Sequence, residues 1–69
     1  MAVQKAVELT GSGASVEDAV AEAIDRAGLT LEGITGFDIK KLSGVVDGAR
    51  VTYQVRLRVW FVLRERMHG

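Results

Sequence analysis

The sequence predicts an α+β fold: a β-α-β-β order in which a three-stranded antiparallel sheet wraps one helix. Three observations predict it. From Arg50 to Arg64 the chain places Val51, Tyr53, Val55, Leu57, Val59, Phe61 and Leu63 at every second position, the period of a long, half-buried strand. After Ser15, the residues Val16, Ala19, Val20, Ala23, Ile24, Ala27 and Leu31 share one helical face, with Glu17, Asp18, Glu22, Asp25 and Arg26 largely opposite. Between the two longest strand candidates stands Asp47-Gly48, a strong hairpin signal.

Taken in order, Ala2–Thr10 is apolar-rich, with Lys5 and Glu8 interspersed, and is expected as the first strand. The closely spaced glycines of Gly11–Ala14 predict a loop. This turn lacks the lysine and the length of a phosphate-binding loop, so it reads as a plain strand-to-helix connection. The Ser15 hydroxyl is placed to cap the N–H of Glu17 or Asp18, and those acids suit the positive end of the helix dipole. The helix is expected to end near Gly33, weakened by Gly28 but not divided by it. Ile34–Val46 is the second strand, and the alternating stretch above is the third.

Sixty-nine residues make a single domain, 1–69, near the lower size limit for unaided folding. Cysteine is absent and the one histidine is His68, so disulfides and a structural zinc site are excluded as aids. Oligomerisation remains. Geometry points the same way. A helix of about 17 residues is about 26 Å long, whereas a strand of about 14 residues spans about 45 Å. One helix cannot cover such a strand, and the overhang calls for another copy or another protein, self-assembly being the economical reading. Nine basic and nine acidic residues cancel, which argues against a nucleic-acid partner. The N-terminal stretch has no signal-peptide character and no segment approaches transmembrane length, so a soluble cytoplasmic protein with no membrane partner is expected.

The hairpin register follows from which side chains must share the core face. A two-residue Asp47-Gly48 loop would pair Val46 with Ala49 and so set Asp38 against Leu57. A shift by one residue pairs Phe37 with Val59, Ile39 with Leu57, Asp38 with Arg58 and Gly36 with Trp60. The shifted register is expected. It also sets Lys40 opposite Arg56, which calls for an anion or another subunit's acid there.

The ordered set of VELTGS (Val7–Ser12), SVEDAVAEAIDRA (Ser15–Ala27), VDGARVTYQV (Val46–Val55) and VWFVL (Val59–Leu63) resembles the dodecin family over nearly the whole chain. The resemblance implies a small flavin-binding protein that assembles as a hollow homo-dodecamer with its sheets facing inward. It also implies a stacking tryptophan near the start of the second strand and a glutamine in the third that bonds the flavin's polar edge. The glutamine maps to Gln54, but the tryptophan position is Gly36. Trp60 stands where a glycine is usual, and Val62 where a basic residue is usual. With Trp60 opposite Gly36, the indole could return to the ligand slot from the facing strand. Alternatively it could pack over the glycine and fill the slot.

The cofactor-binding residues expected are therefore Gln54, Trp60 and Gly36, with Arg56 and Arg58 on the same strand face. For the two arginines, ion pairs with Asp38 and other acids stand beside phosphate binding. The implied function is non-catalytic sequestration of a flavin, whether riboflavin, FMN or FAD. The alternative is an assembly of the same fold that has lost flavin and binds ions or another small ligand. No catalytic constellation is visible, since no serine or lysine has an identifiable activating partner. The acidic helix face reads as a solvated surface, with weak calcium binding as its alternative.

Overall fold

In the computed structural model, which describes residues 2–64, the chain runs β1 (Ala2–Gly13), α1 (Val16–Gly28), β2 (Ile34–Asp47) and β3 (Arg50–Arg64). The sheet order is β1-β3-β2 with both pairings antiparallel. The most regularly alternating segment thus takes the centre, where both its edges are paired. His68 and the tail around it lie outside the described residues.

The helix begins as its sequence dictates: the Asp18 N–H donates to Ser15 Oγ at 3.0 Å, satisfying one of the free donors of the first turn. It ends at Gly28, not at Gly33. The glycine is a poor helix residue. Beyond it the chain tightens, with Leu29 N–H donating to Arg26 O and Thr30 and Leu31 N–H both donating to Ala27 O. Gly33, at φ +68°, turns the chain into β2, and its carbonyl accepts from Val62 N–H at 3.0 Å.

β1 extends to Gly13, through residues whose glycines suggested a loop. The physical reason is close approach. A Cβ on Gly11 would lie 2.2 Å from the Ala19 carbonyl oxygen, and one on Gly13 would lie 2.8 Å from Asp18 Cβ. These glycines let the helix settle onto the strand. Two side chains of α1 also close the free edge of β1. The Arg26 guanidinium donates to the Thr10 carbonyl, and Glu22 Oε1 accepts from Ser12 N–H at 3.2 Å, occupying groups that would otherwise invite another strand.

The pairings of Gly36 with Trp60, Phe37 with Val59, Asp38 with Arg58 and Ile39 with Leu57 agree with expectation. The route to them differs. Asp47 pairs with Arg50, so the two-residue loop is Gly48-Ala49. Gly48 alone has positive φ, +61°, as a type II′ turn requires. A bulge between Ile39 and Lys41 then shifts the register, so Lys41 faces Arg56 and Lys40 is the extra residue. The expected Lys40–Arg56 pair is corrected accordingly. A second irregularity falls between Ile34 and Gly36.

The buried core consists of Ala19, Ala23 and Ala27 from α1 against Val55, Leu57, Val59 and Phe61 of β3. The 13-residue helix is about 20 Å long, while the 15 residues of β3 span about 50 Å. The helix packs on β1 and β3 and barely reaches β2. On the helix-facing side of β2, Phe37, Ile39, Leu42 and Val46 are therefore left between 43% and 73% exposed. The radius of gyration is 14.9 Å, against about 11 Å expected of a compact domain this long.

The two glycine environments give a test of the helix seat. Gly11→Ala should destabilise the fold by about 1–3 kcal/mol through overpacking, read as a lowered urea midpoint. Gly36→Ala, where no atom lies within 4 Å of the new Cβ, should change stability by less than about 0.5 kcal/mol. Equal midpoints for the two variants would show that the helix does not sit as close as described.

Candidate functional site

Because successive strand residues point to opposite faces, the β3 residues Gln54, Arg56, Arg58 and Trp60 lie on the face turned away from Val55, Leu57 and Val59. Each is flanked by one residue from each neighbouring strand. The rows are Ala6–Trp60–Gly36, Glu8–Arg58–Asp38, Thr10–Arg56–Lys41 and Ser12–Gln54–Ser43. Adjacent rows are about 7 Å apart. All five residues singled out from the sequence thus share one sheet face.

They do not form one cluster. Trp60 and Gln54 are six residues apart along an extended strand, about 20 Å. One planar ring cannot rest on the indole and also reach the carboxamide of the same chain. A site using both needs two copies. The face therefore divides into a Trp60 end and a Gln54 end.

At the Trp60 end the decisive contact is diagonal. Trp60 Nε1–H donates to Asp38 Oδ2 at 2.9 Å, one row away on β2. Asp38 is thereby drawn to the indole, although it stands opposite Arg58. Arg58 Nη2 instead meets Glu8 Oε2 at 3.2 Å. That pair is well exposed and contributes at most about 1 kcal/mol. The expected Asp38–Arg58 ion pair is thus replaced by two separate contacts. The place above Gly36 is open, since an ideal Cβ built there would meet no atom within 4 Å. The indole does not cover the glycine, and the filled-slot arrangement is absent from the chain. On the backbone side, the Thr35 hydroxyl donates to the Trp60 carbonyl at 3.5 Å.

At the Gln54 end, Gln54 faces Ser43, and Arg56 faces Lys41. Like charges directly opposite are unfavourable on a sheet, and neither cation has an ion-pair partner among the described residues. They border a cleft of about 360 Å³ whose lining also includes Arg26 and, as its acid, Glu22. Glu22 Oε1 lies 3.9 Å from Arg26 Nη2. Among the described residues, no group of three or more acidic or histidine side chains is placed to hold a metal ion.

Several participants were not singled out from the sequence as site residues. Asp38 as the indole's acceptor was legible in principle, because diagonal neighbours on one face reach each other. Lys41 and Ser43 depend on the bulge at Lys40. Arg26 depends on where the helix sits.

A sequence model of the dodecin family matches residues 3–64. None of the curated proteins matches the chain. Among solved structures, a single-substitution form of Thermus thermophilus dodecin is 38% identical, with TM-score 0.88, covering 96% of this chain and 100% of that one. A further Thermus thermophilus protein gives the same identity, coverage and TM-score. Streptomyces davaonensis dodecin, at 24% identity and TM-score 0.84 over 93% of this chain and 97% of that one, shares the fold. By fold, by strand order and by matched sequence, the chain belongs to the dodecin family.

Proposed function

We propose that the chain assembles as a dodecin-like homo-dodecamer that sequesters a flavin (riboflavin, FMN or FAD) without catalysing its chemistry. The observation that carries this reading is the open space above Gly36 beside the Trp60 indole. The family's tryptophan is expected in that row. Here the aromatic ring comes from the facing strand, and the space over Gly36 stays open. Stacking depends on a ring of the right orientation with free space against its face.

Two further features support it. The exposed apolar side chains of β2 leave a large surface without cover, and burying it between copies would supply the stability that a core this small lacks. The distance from Trp60 to Gln54 means that the polar edge of a stacked ligand meets a glutamine only from another copy. The residue inventory favours storage over catalysis, since cysteine is absent and the one histidine is His68. A cytoplasmic location belongs to the same proposal; no helix among the described residues is long and apolar enough to cross a membrane.

A second reading is an assembly without flavin that binds an anion. It is favoured by the facing Arg56 and Lys41, with Arg26 bordering the same cleft. An anion there would relieve the like-charge repulsion.

Titrating the purified assembly into riboflavin, FMN and FAD separates the readings. Quenched flavin fluorescence at stoichiometric protein is expected. Trp60→Ala should then weaken binding about tenfold or more with assembly size unchanged, since an aromatic stacking partner is worth about 1–3 kcal/mol. Absence of quenching by the unaltered protein would move the reading to the anion. Assembly is tested apart from ligand: Ile39→Asp on the uncovered face of β2 should shift sedimentation from a dodecamer to smaller species. A dodecamer unaffected by that charge would show that this face is not the contact between copies.

A further inference from the structure

We propose that Asp38 is a positioning residue that holds the Trp60 indole off Gly36 and so keeps the ligand slot open. The inference rests on the reading of Trp60 as a stacking platform and adds the device that orients it.

Trp60 and Gly36 are direct cross-strand neighbours. An aromatic ring beside a bare glycine ordinarily lies over it, because that contact removes apolar surface from water and shields the exposed backbone. In this chain it does not, since the space above Gly36 is empty to 4 Å. The 2.9 Å hydrogen bond from Trp60 Nε1 to Asp38 Oδ2 accounts for the difference. It ties the polar edge of the indole to a point one row further along β2, and the ionised acceptor strengthens the tie.

The neighbouring charges leave Asp38 available for this contact. Arg58, the cation opposite it, is engaged by Glu8 from the other side of β3. Two carboxylates thus flank one guanidinium, and the one on β2 is released to the indole. The row of Trp60 is also narrow in side chains, with Ala6 on one side and Gly36 on the other. Nothing large within the row itself holds the ring upright, which leaves that role to Asp38 in the next row. Removing the acceptor should let the indole fall onto Gly36 and close the slot.

The test compares Asp38→Leu, which removes the acceptor at similar size, with Asp38→Asn, which keeps a side-chain oxygen without the charge. Riboflavin serves as the probe because it carries no phosphate whose charge would respond to the loss of a carboxylate. Trp60 is the one tryptophan in the chain, so acrylamide quenching of tryptophan fluorescence and the long-wavelength edge of the near-UV circular dichroism, beyond the absorption of Tyr53, report its ring alone. With Asp38→Leu, the expected results are unchanged sedimentation, an altered tryptophan band, reduced access to acrylamide and riboflavin binding weakened about tenfold or more. Asp38→Asn should stay near the unaltered protein in all four, with at most a small loss from the weaker neutral acceptor. If Asp38→Leu does not assemble, Asp38→Ala takes its place. A tryptophan band and quenching that are the same in all variants would overturn the proposal. So would an Asn variant as impaired as the Leu variant, which would show that charge rather than the hydrogen bond matters. If the unaltered protein leaves riboflavin fluorescence unquenched, the flavin reading fails. The tryptophan signals then decide the positioning role alone.

Discussion

The close seat of α1 on β1 sets the rest of the architecture. Ala19 and Ala23 are buried against a strand that has no side chain at Gly11. Short side chains on the helix and none on the strand let the two backbones approach nearly as far as sterics allow. That proximity brings Glu22 and Arg26 within reach of the outer edge of β1. It also commits the short helix to β1 and β3, which leaves β2 with its apolar side chains uncovered. A helix with bulkier contact residues would ride higher and could spread over more of the sheet. The uncovered apolar face of β2 is therefore a result of the chain's tightest contact.

Much of this was legible from residue pattern. The alternation from Val51 to Leu63 located the central strand, the alanine-rich stripe located the helix, and Ser15 marked its start. The register around Gly36 also followed, because only one pairing puts Phe37 and Ile39 with Val59 and Leu57. The errors have physical causes. Gly11 and Gly13 look like punctuation in a one-dimensional reading, yet their absent side chains serve a packing contact made by residues further along the chain. Gly28 ended the helix because Leu29, which follows it, is 84% exposed, so no tertiary contact offset the weak propensity. The loop at Gly48-Ala49 displaces the register by two residues from a flush Asp47-Gly48 hairpin and the bulge at Lys40 takes one back, so the net result resembles a single shift.

The polar sheet face shows how local geometry redistributes the roles of charged residues. Cross-strand position alone suggests that Asp38 pairs with Arg58, and β1 changes the outcome by presenting Glu8 to the same guanidinium. Further along the face, Arg56 and Lys41 meet with no such relief. One end of the face is thus an aromatic ring with an engaged acid, and the other is a basic cleft with a carboxamide. They lie too far apart to serve one small ligand from a single chain. A ligand that used both ends would need two copies of the chain, and its affinity would depend on how they were set against each other.

The bulge at Lys40 has a consequence for how the chain tolerates changes in length. It is one extra residue on one strand, placed between the hairpin turn and the Trp60 row. Were Lys40 paired flush instead of bulged, the register at the turn would carry through the strand and put Trp60 opposite Phe37. The glycine would then lie on the other face of the sheet from the indole. Deletion of Lys40 would therefore straighten the strand and leave the pairs on both sides of it unchanged, whereas pairing Lys40 flush with Leu57 would invert the inside and outside of the strand beyond it. The spacing of residues in this hairpin is as much a part of the site as their identity.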